Sequence, residues 1–310
     1  MNVQVGDQVL VLFILMAMGF LSFKLKITNK EASAYFSSFV LKISLPCMIL
    51  HSFRRPFSWE LLGEAGAALG VSIIAYSFSF LLAWVYPRIF RIKGPERGVH
   101  RYAILIPNSG FIGFPVVEAI MGSFYIFHAS IFNIPGSFLA FSIGAWLMAK
   151  EGNKAPAFSW KLFISPPLVT TVIGFVMFLF SIPLPGPVEQ SLKLAGAMTT
   201  PLSMAVIGIS IAQANMKQML GHVRVYLTVF VRLLLLPALI GIICYLVGIR
   251  GAFLMLPVVL TAMPSGTTTS ILASVYDVAV EEAGSITALS TIMSAVTIPL
   301  VVLAVFYFGG

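Results

Sequence analysis

Two stretches of this sequence put helix breakers beside side chains able to hold a small polar ligand. One reads Ile106-Pro107-Asn108-Ser109-Gly110-Phe111-Ile112-Gly113-Phe114-Pro115, the other Pro264-Ser265-Gly266-Thr267-Thr268-Thr269-Ser270. Asn108 brings a donor and an acceptor, and Ser109, Ser265 and Thr267 bring hydroxyls. Proline lacks an N–H and clashes with the preceding turn, while glycine raises the entropy cost of order. Each stretch is therefore expected to interrupt a helix. A helix that restarts presents unpaired N–H groups and about half a positive charge at its new N-terminus. Two such ends in a low dielectric suit a small anion, most simply a carboxylate. Pro115 is placed for the first turn of a second half-helix, and Ser265 is placed to cap the other.

The elements that carry these stretches follow from composition. The chain has 310 residues, 59% apolar and only 10% charged, with a mean hydropathy of +0.99. Soluble proteins are nearer about half apolar and about a quarter charged. An ordinary soluble enzyme, a nucleic-acid-binding domain and a disordered chain are excluded. Stretches long enough to cross the hydrocarbon core fall near 7–23, 32–52, 61–86, 99–121, 124–149, 163–182, 188–212, 223–248, 252–276 and 283–308. The expected fold is an all-α polytopic membrane protein with ten transmembrane helices. The first is read as a retained helix, not a signal peptide.

Basic residues orient the spans. Lys24, Lys26, Lys30, Arg88, Arg91, Lys93, Arg97, Arg101, Lys150, Lys154, Lys161, Lys217 and Arg224 fall in alternate loops, against Arg54, Arg55 and Arg250 on the other side. Both termini are expected outside the cytoplasm in the inner or plasma membrane. The formal charge of +8 is thus a topology signal, with the lipid bilayer and not nucleic acid as partner.

Helix breakers recur between the halves. Pro46 and Pro201 are separated by 155 positions, and so are Ser109 and Pro264. Five spans per half is an odd number, so the second half must enter the membrane inverted, as in many secondary transporters. The expected organisation is a first repeat over 1–150, a cytoplasmic linker over 151–162 and a second, inverted repeat over 163–310. Pro46, Pro107, Gly113, Pro115 and Pro201 are the expected breaks or hinges.

Ionisable residues within spans are functional candidates by default. Lys193 and Glu118 sit near span ends, where they can snorkel; Lys42 and Arg232 are deeper. Asn133 precedes Pro135-Gly136 and can donate and accept, as substrate contact or interhelical bond. His128 and His51 are able to carry a proton. Gly63, Gly66 and Gly70 read as close-packing positions. No catalytic site is expected: a phosphate-cradling loop is absent, and Asp7 and Asp277 are the only aspartates. Cys47 and Cys244 show neither disulfide nor metal-ligand spacing. Neither cofactor nor metal is expected.

The segment "IPNSGFIGFPVVEAIMG" resembles the Asn-x-Gly-x-x-Gly-x-Pro segment of the auxin efflux carrier family. "MPSGTTTSILASVYDVAVEEAGSITALSTIMSAVTIPL" is similar to that family's closing segment, with Tyr276, Ser290-Thr291 and Pro299 in place. The resemblance implies a 5+5 inverted repeat, scaffold and transport domains each drawn from both repeats, crossing broken helices in spans 4 and 9, and elevator-type alternating access. It implies an organic-anion substrate: malonate, malate or an auxin-like acid. Asn108 matches the family's substrate-contacting asparagine and Pro46 its second-span proline; the long regulatory loop of plant members is missing. The expected site combines Asn108, Ser109, Gly110, Pro264, Ser265, Gly266 and Thr267 with Asn133. The alternative is a sodium-coupled symporter of a bulkier, bile-acid-like anion. The coupling ion, H+ or Na+, and the oligomeric state, a homodimer included, are left open.

Overall fold

A computed structural model describes residues 2–152, 165–213 and 223–309. The linker from residue 153 on, with Lys154 and Lys161, and Lys217 beyond it lie outside the described residues. Among the described residues, twelve helical segments run in order: α1 Asn2–Lys24, α2 Lys30–Ser52, α3 Trp59–Ile89, α4 Pro95–Leu105, α5 Ser109–Met121, α6 Tyr125–Ala149, α7 Pro166–Leu179, α8 Gly186–Gln213, α9 Val223–Leu246, α10 Ala252–Thr261, α11 Thr268–Tyr276 and α12 Val280–Gly309. There is no strand among the described residues, only an isolated bridge. Seven of these helices, α1, α2, α3, α6, α8, α9 and α12, are long and apolar enough to cross a membrane. Three shorter ones, α5, α7 and α10, are also apolar.

Prolines inside these helices meet a recurring local solution. A wide π turn covers Val40–Ser44, Ser109–Gly113 and Val231–Leu235, in each case ending two residues before Pro46, Pro115 or Pro237. Proline at position i cannot donate to the carbonyl at i−4 and collides with it. Here that carbonyl belongs to Lys42, Phe111 or Leu233, inside the wide turn, where an i→i+5 pattern makes room. Pro46 therefore does not break α2, contrary to expectation. Pro115 likewise comes after a turn of helix already formed, so the second half-helix begins at Ser109 and not at the proline. Pro201 sits in the first turn of the helix restarting at Thr199, after a turn at Met198, where its missing N–H is harmless.

The chain forms two compact units, Met1–Leu69, Gly110–Asn133 and Ile164–Ala214 in one, and Gly70–Ser109, Ile134–Phe163 and Asn215–Gly310 in the other. In the first unit α1 lies along α8. Gly19 faces the Ala205 backbone and Gly208 the Met16 carbonyl, both too close for a Cβ. Lipid gives apolar helices no hydrophobic reason to associate, so such close backbone approach supplies the attraction. Phe53, Phe127 and Phe178 fill the same unit, with Phe127 centred 4.8 Å from Phe53 and 5.3 Å from Phe178. Gly63, Gly66 and Gly70 do not do this work: among the described residues, nothing beyond their own helix backbone lies within 4 Å of a Cβ built on them. The glycine spacing on α3 was misleading because spacing alone does not say which face meets a neighbour.

In the second unit α4 is buried along Gly98–Leu105. Gly98 lies against the end of α6, at Leu147 and Met148. This burial fixes α4 as the arm leading to the first break.

Candidate functional site

The break after α4 spans Ile106, Pro107 and Asn108; the break after α10 runs from Ala262 to Thr267. Both belong to the second unit up to Ser109. The two breaks bond to each other. The Asn108 N–H donates to the Pro264 carbonyl at 2.8 Å, and the Gly266 N–H donates to the Ile106 carbonyl at 3.0 Å. Pro107 and Ser265 form the antiparallel bridge between them. Exchanging the two segments maps one bond onto the other, so the crossing has local two-fold symmetry. Groups freed by the breaks would cost several kcal/mol each in hydrocarbon; here each segment satisfies the other. Because Pro107 faces Ser265, the pairing differs by three residues from the offset that aligned Ser109 with Pro264.

Ser265 does not cap α11. Its hydroxyl lies 2.9 Å from that of Thr269, and Thr267, at the capping position, makes no side-chain capping bond. The Ser265 N–H instead donates to Ser290 Oγ of α12 at 3.2 Å. Ser290 is fully buried and donates in turn to the Thr287 carbonyl. The N–H groups of Asn108, Ser265 and Gly266 are thus already taken, and the expected donor-rich tips are shorter than the sequence suggested. The Asn108 side chain and the α11 start at Thr267 and Thr268 remain beside the crossing.

Asn108, Ser109, Pro264, Ser265 and Gly266 are buried, Gly110 is half-buried and Thr267 is exposed. The Tyr76 hydroxyl hydrogen-bonds Ser109 and lies directly on Gly136 of α6, where a Cβ would collide with it. Asn133 is half-buried on α6 in the first unit. Gly113 closes the π turn of α5.

Arg232 of α9 is the largest fully buried side chain among the described residues, 1% exposed. Its Nε donates to the Met263 carbonyl at 3.1 Å and its Nη1 to the Ile104 carbonyl at 2.9 Å. These carbonyls lie at the C-terminal ends of α4 and α10, where helix dipoles gather negative potential and acceptors go unpaired. One guanidinium thus ties the two first half-helices together. Its Nη2 is buried without a hydrogen-bond partner among the described residues, and Arg232 forms no ion pair there. Lys42, the other deep cation by sequence, is exposed, and so is Lys193.

The first unit has its own polar contacts. Ser44 Oγ is 2.7 Å from Thr199 Oγ1, two positions 155 residues apart, matching the separation of Pro46 from Pro201. Thr200 donates to Glu118 at 2.5 Å, and His128 meets Glu64 at 2.8 Å. Sequence reasoning singled out Arg232 as a deep cation but not the two carbonyls it clamps, and it missed the seat made by Ser290 and the pairing of His100 with Glu282. None has a local signal, since the partners are far apart in the chain. The Ser290-Thr291 motif was the nearest hint.

Seven membrane-length apolar helices, with two shorter interrupted ones bonded break to break, define a polytopic membrane protein. A family model described as "Membrane transport protein" matches residues 5–302. The chain belongs to this family, the auxin efflux carrier family, whose motifs it carries at residues 106–122 and 263–300. Similar proteins include an uncharacterized transporter of Methanothermobacter thermautotrophicus, 24% identical over 95% of this chain and 96% of that protein. The uncharacterized transporter MJ1031 of Methanocaldococcus jannaschii is also 24% identical, with the same coverage. The uncharacterized transporter YfdV of Escherichia coli K12 is 21% identical over 96% of both chains.

Proposed function

We propose that this family member is a secondary transporter of a small organic anion, a carboxylate or dicarboxylate such as malonate. The anion is held at the crossing of the broken helices by the Asn108 side chain and the start of α11, with Ser109, Gly110 and Thr267 around it. The observation that carries this reading is Arg232: a buried guanidinium beneath the crossing that, among the described residues, bonds only to neutral carbonyls. An unneutralised charge in low dielectric is costly, and a bound carboxylate would offset it.

Ten spans in a 5+5 inverted repeat fit the same reading. Counting α4 with α5 and α10 with α11 as single interrupted spans turns the twelve segments into ten. The Ser44–Thr199 contact, at the 155-residue separation of the matched helix breakers, supports the repeat. Alternating access is then an elevator-like displacement of a transport domain against a scaffold, each drawn from both halves, with both termini outside the cytoplasm.

The test is a thermal-shift titration of the purified chain with malonate. Binding to the native state raises the melting temperature by mass action. Wild type is expected to be stabilised, and Asn108→Ala to lose that stabilisation while melting near wild type without ligand. An undiminished malonate shift in Asn108→Ala would remove the asparagine from the site.

A further inference from the structure

We infer that His100, with Glu282, Thr228 and Tyr86, forms a proton-binding site in the second unit, whose charge is linked to the anion at the crossing; the linkage rests on the proposed anion site. His100 is completely buried on α4. Its Nε2 lies 2.9 Å from Glu282 Oε1 of α12, and its Nδ1 lies 2.5 Å from Thr228 Oγ1 of α9. Thr228 Oγ1 is also 2.8 Å from the Tyr86 hydroxyl and 2.9 Å from the Arg224 carbonyl, which Tyr86 reaches at 3.3 Å.

The hydrogens available to these groups decide what the arrangement does. With His100 neutral, Nε2–H donates to the Glu282 carboxylate and Nδ1 must accept, so the Thr228 hydroxyl turns its one hydrogen toward the ring. When a proton binds Nδ1, that nitrogen becomes a donor. Thr228 Oγ1 then accepts from it, and the threonine hydrogen rotates to the Arg224 carbonyl. Neither state leaves a buried ring nitrogen unpaired, which is the requirement a static structural histidine does not have. Glu282, in the first turn of α12, keeps 11% of its side chain exposed, which gives a proton its route to the pair.

The charges on α4 and those facing it from α6 and α9 have partners of their own. On α4 itself, Glu96 pairs with Arg224 of α9 at 3.1 Å, and Arg97 pairs with Glu151 after α6 at 2.7 Å. Arg101 lies 4.0 Å from Glu151 and stacks over Trp84 of α3, as does Arg88. Glu281 precedes Glu282 on α12, and Tyr276 with Asp277 closes α11. Arg232 binds the Ile104 carbonyl, one helical turn along α4 from His100. A proton on His100 therefore adds positive charge to the arm that leads to Asn108. It favours a carboxylate there, and a bound carboxylate favours the proton by the same factor.

The test uses the full chain in liposomes with labelled malonate. Wild type is expected to accumulate malonate down an imposed pH gradient and to exchange it at equal pH. His100→Gln should exchange malonate yet lose gradient-driven accumulation, falling to the level of empty vesicles; Thr228→Val, which removes the rotating hydroxyl, should do the same if His100→Gln does not fold. Undiminished gradient-driven accumulation in either variant overturns the inference. Absence of malonate exchange in wild type counts against the substrate reading instead. The proton site is then decided by the ring 15N signals of His100, identified by their disappearance in His100→Gln. A change from imidazole to imidazolium on acidification upholds the site; a ring that stays neutral overturns it.

Discussion

Pro46 and Pro107 look alike in the sequence, each a proline inside an apolar span, yet the molecule treats them differently. At Pro46 the helix continues, because a π turn at Val40–Ser44 makes room for the proline ring and α2 runs on to Ser52. At Pro107 the helix stops, and its freed groups pair with those of the break at Pro264. The residues immediately after each proline separate the cases. Cys47-Met48-Ile49 can only continue a helix, whereas Asn108-Ser109-Gly110 and Ser265-Gly266-Thr267 favour turns and local hydrogen bonds. A break survives in a membrane only where a partner waits for it, and here the partner is a second break with a buried arginine beneath.

That contrast sets the order of expected effects. Arg232→Met should have the largest, since it leaves the Ile104 and Met263 carbonyls without their donor. Hydrogen bonds to charged groups contribute about 1.5–3 kcal/mol each, so a fall of several degrees in melting temperature and loss of malonate transport are expected. Lys42→Met, at an exposed cation, should stay within about 0.5 kcal/mol of wild type; equal damage from both would erase the distinction between buried and exposed cations. Gly208→Ala comes next, because its Cβ would strike the Met16 carbonyl; a destabilisation of about 1–3 kcal/mol is expected from overpacking. Gly66→Ala, in open space on α3, should instead be neutral or stabilising by about 0.5–1 kcal/mol, as chemical denaturation in detergent would show.

Ser290→Ala removes the acceptor for the Ser265 N–H and should cost about 1–2 kcal/mol. Weaker malonate affinity is expected with it, since the start of α11 loses its seat. Pro46→Ala should do least: restoring an N–H lets the π turn tighten while α2 persists, so transport should stay near wild type. Loss of transport in Pro46→Ala comparable to that in Ser290→Ala would make the absorbed proline as important as the break.

The sequence carried the breaks themselves, because Pro-Asn-Ser-Gly and Pro-Ser-Gly-Thr act locally on the backbone. It carried the membrane-spanning class too, because burial in lipid demands composition alone. The facing of α3 glycines, the capping role given to Ser265 and the unbroken path through Pro46 were not legible, since each depends on which neighbour arrives. His100 and Glu282 are 182 positions apart, and Arg232 lies 128 from Ile104. Side chains so distant in the chain leave no periodic signature, and only the folded unit joins them.

The claim that a carboxylate sits where the two interrupted helices cross is tested most directly by a cryo-electron microscopy map of the chain in lipid nanodiscs with malonate. Density within hydrogen-bonding distance of the Asn108 side chain and the first N–H groups of α11 is the expected result. Malonate density away from both, or α4 running unbroken into α5, would contradict it.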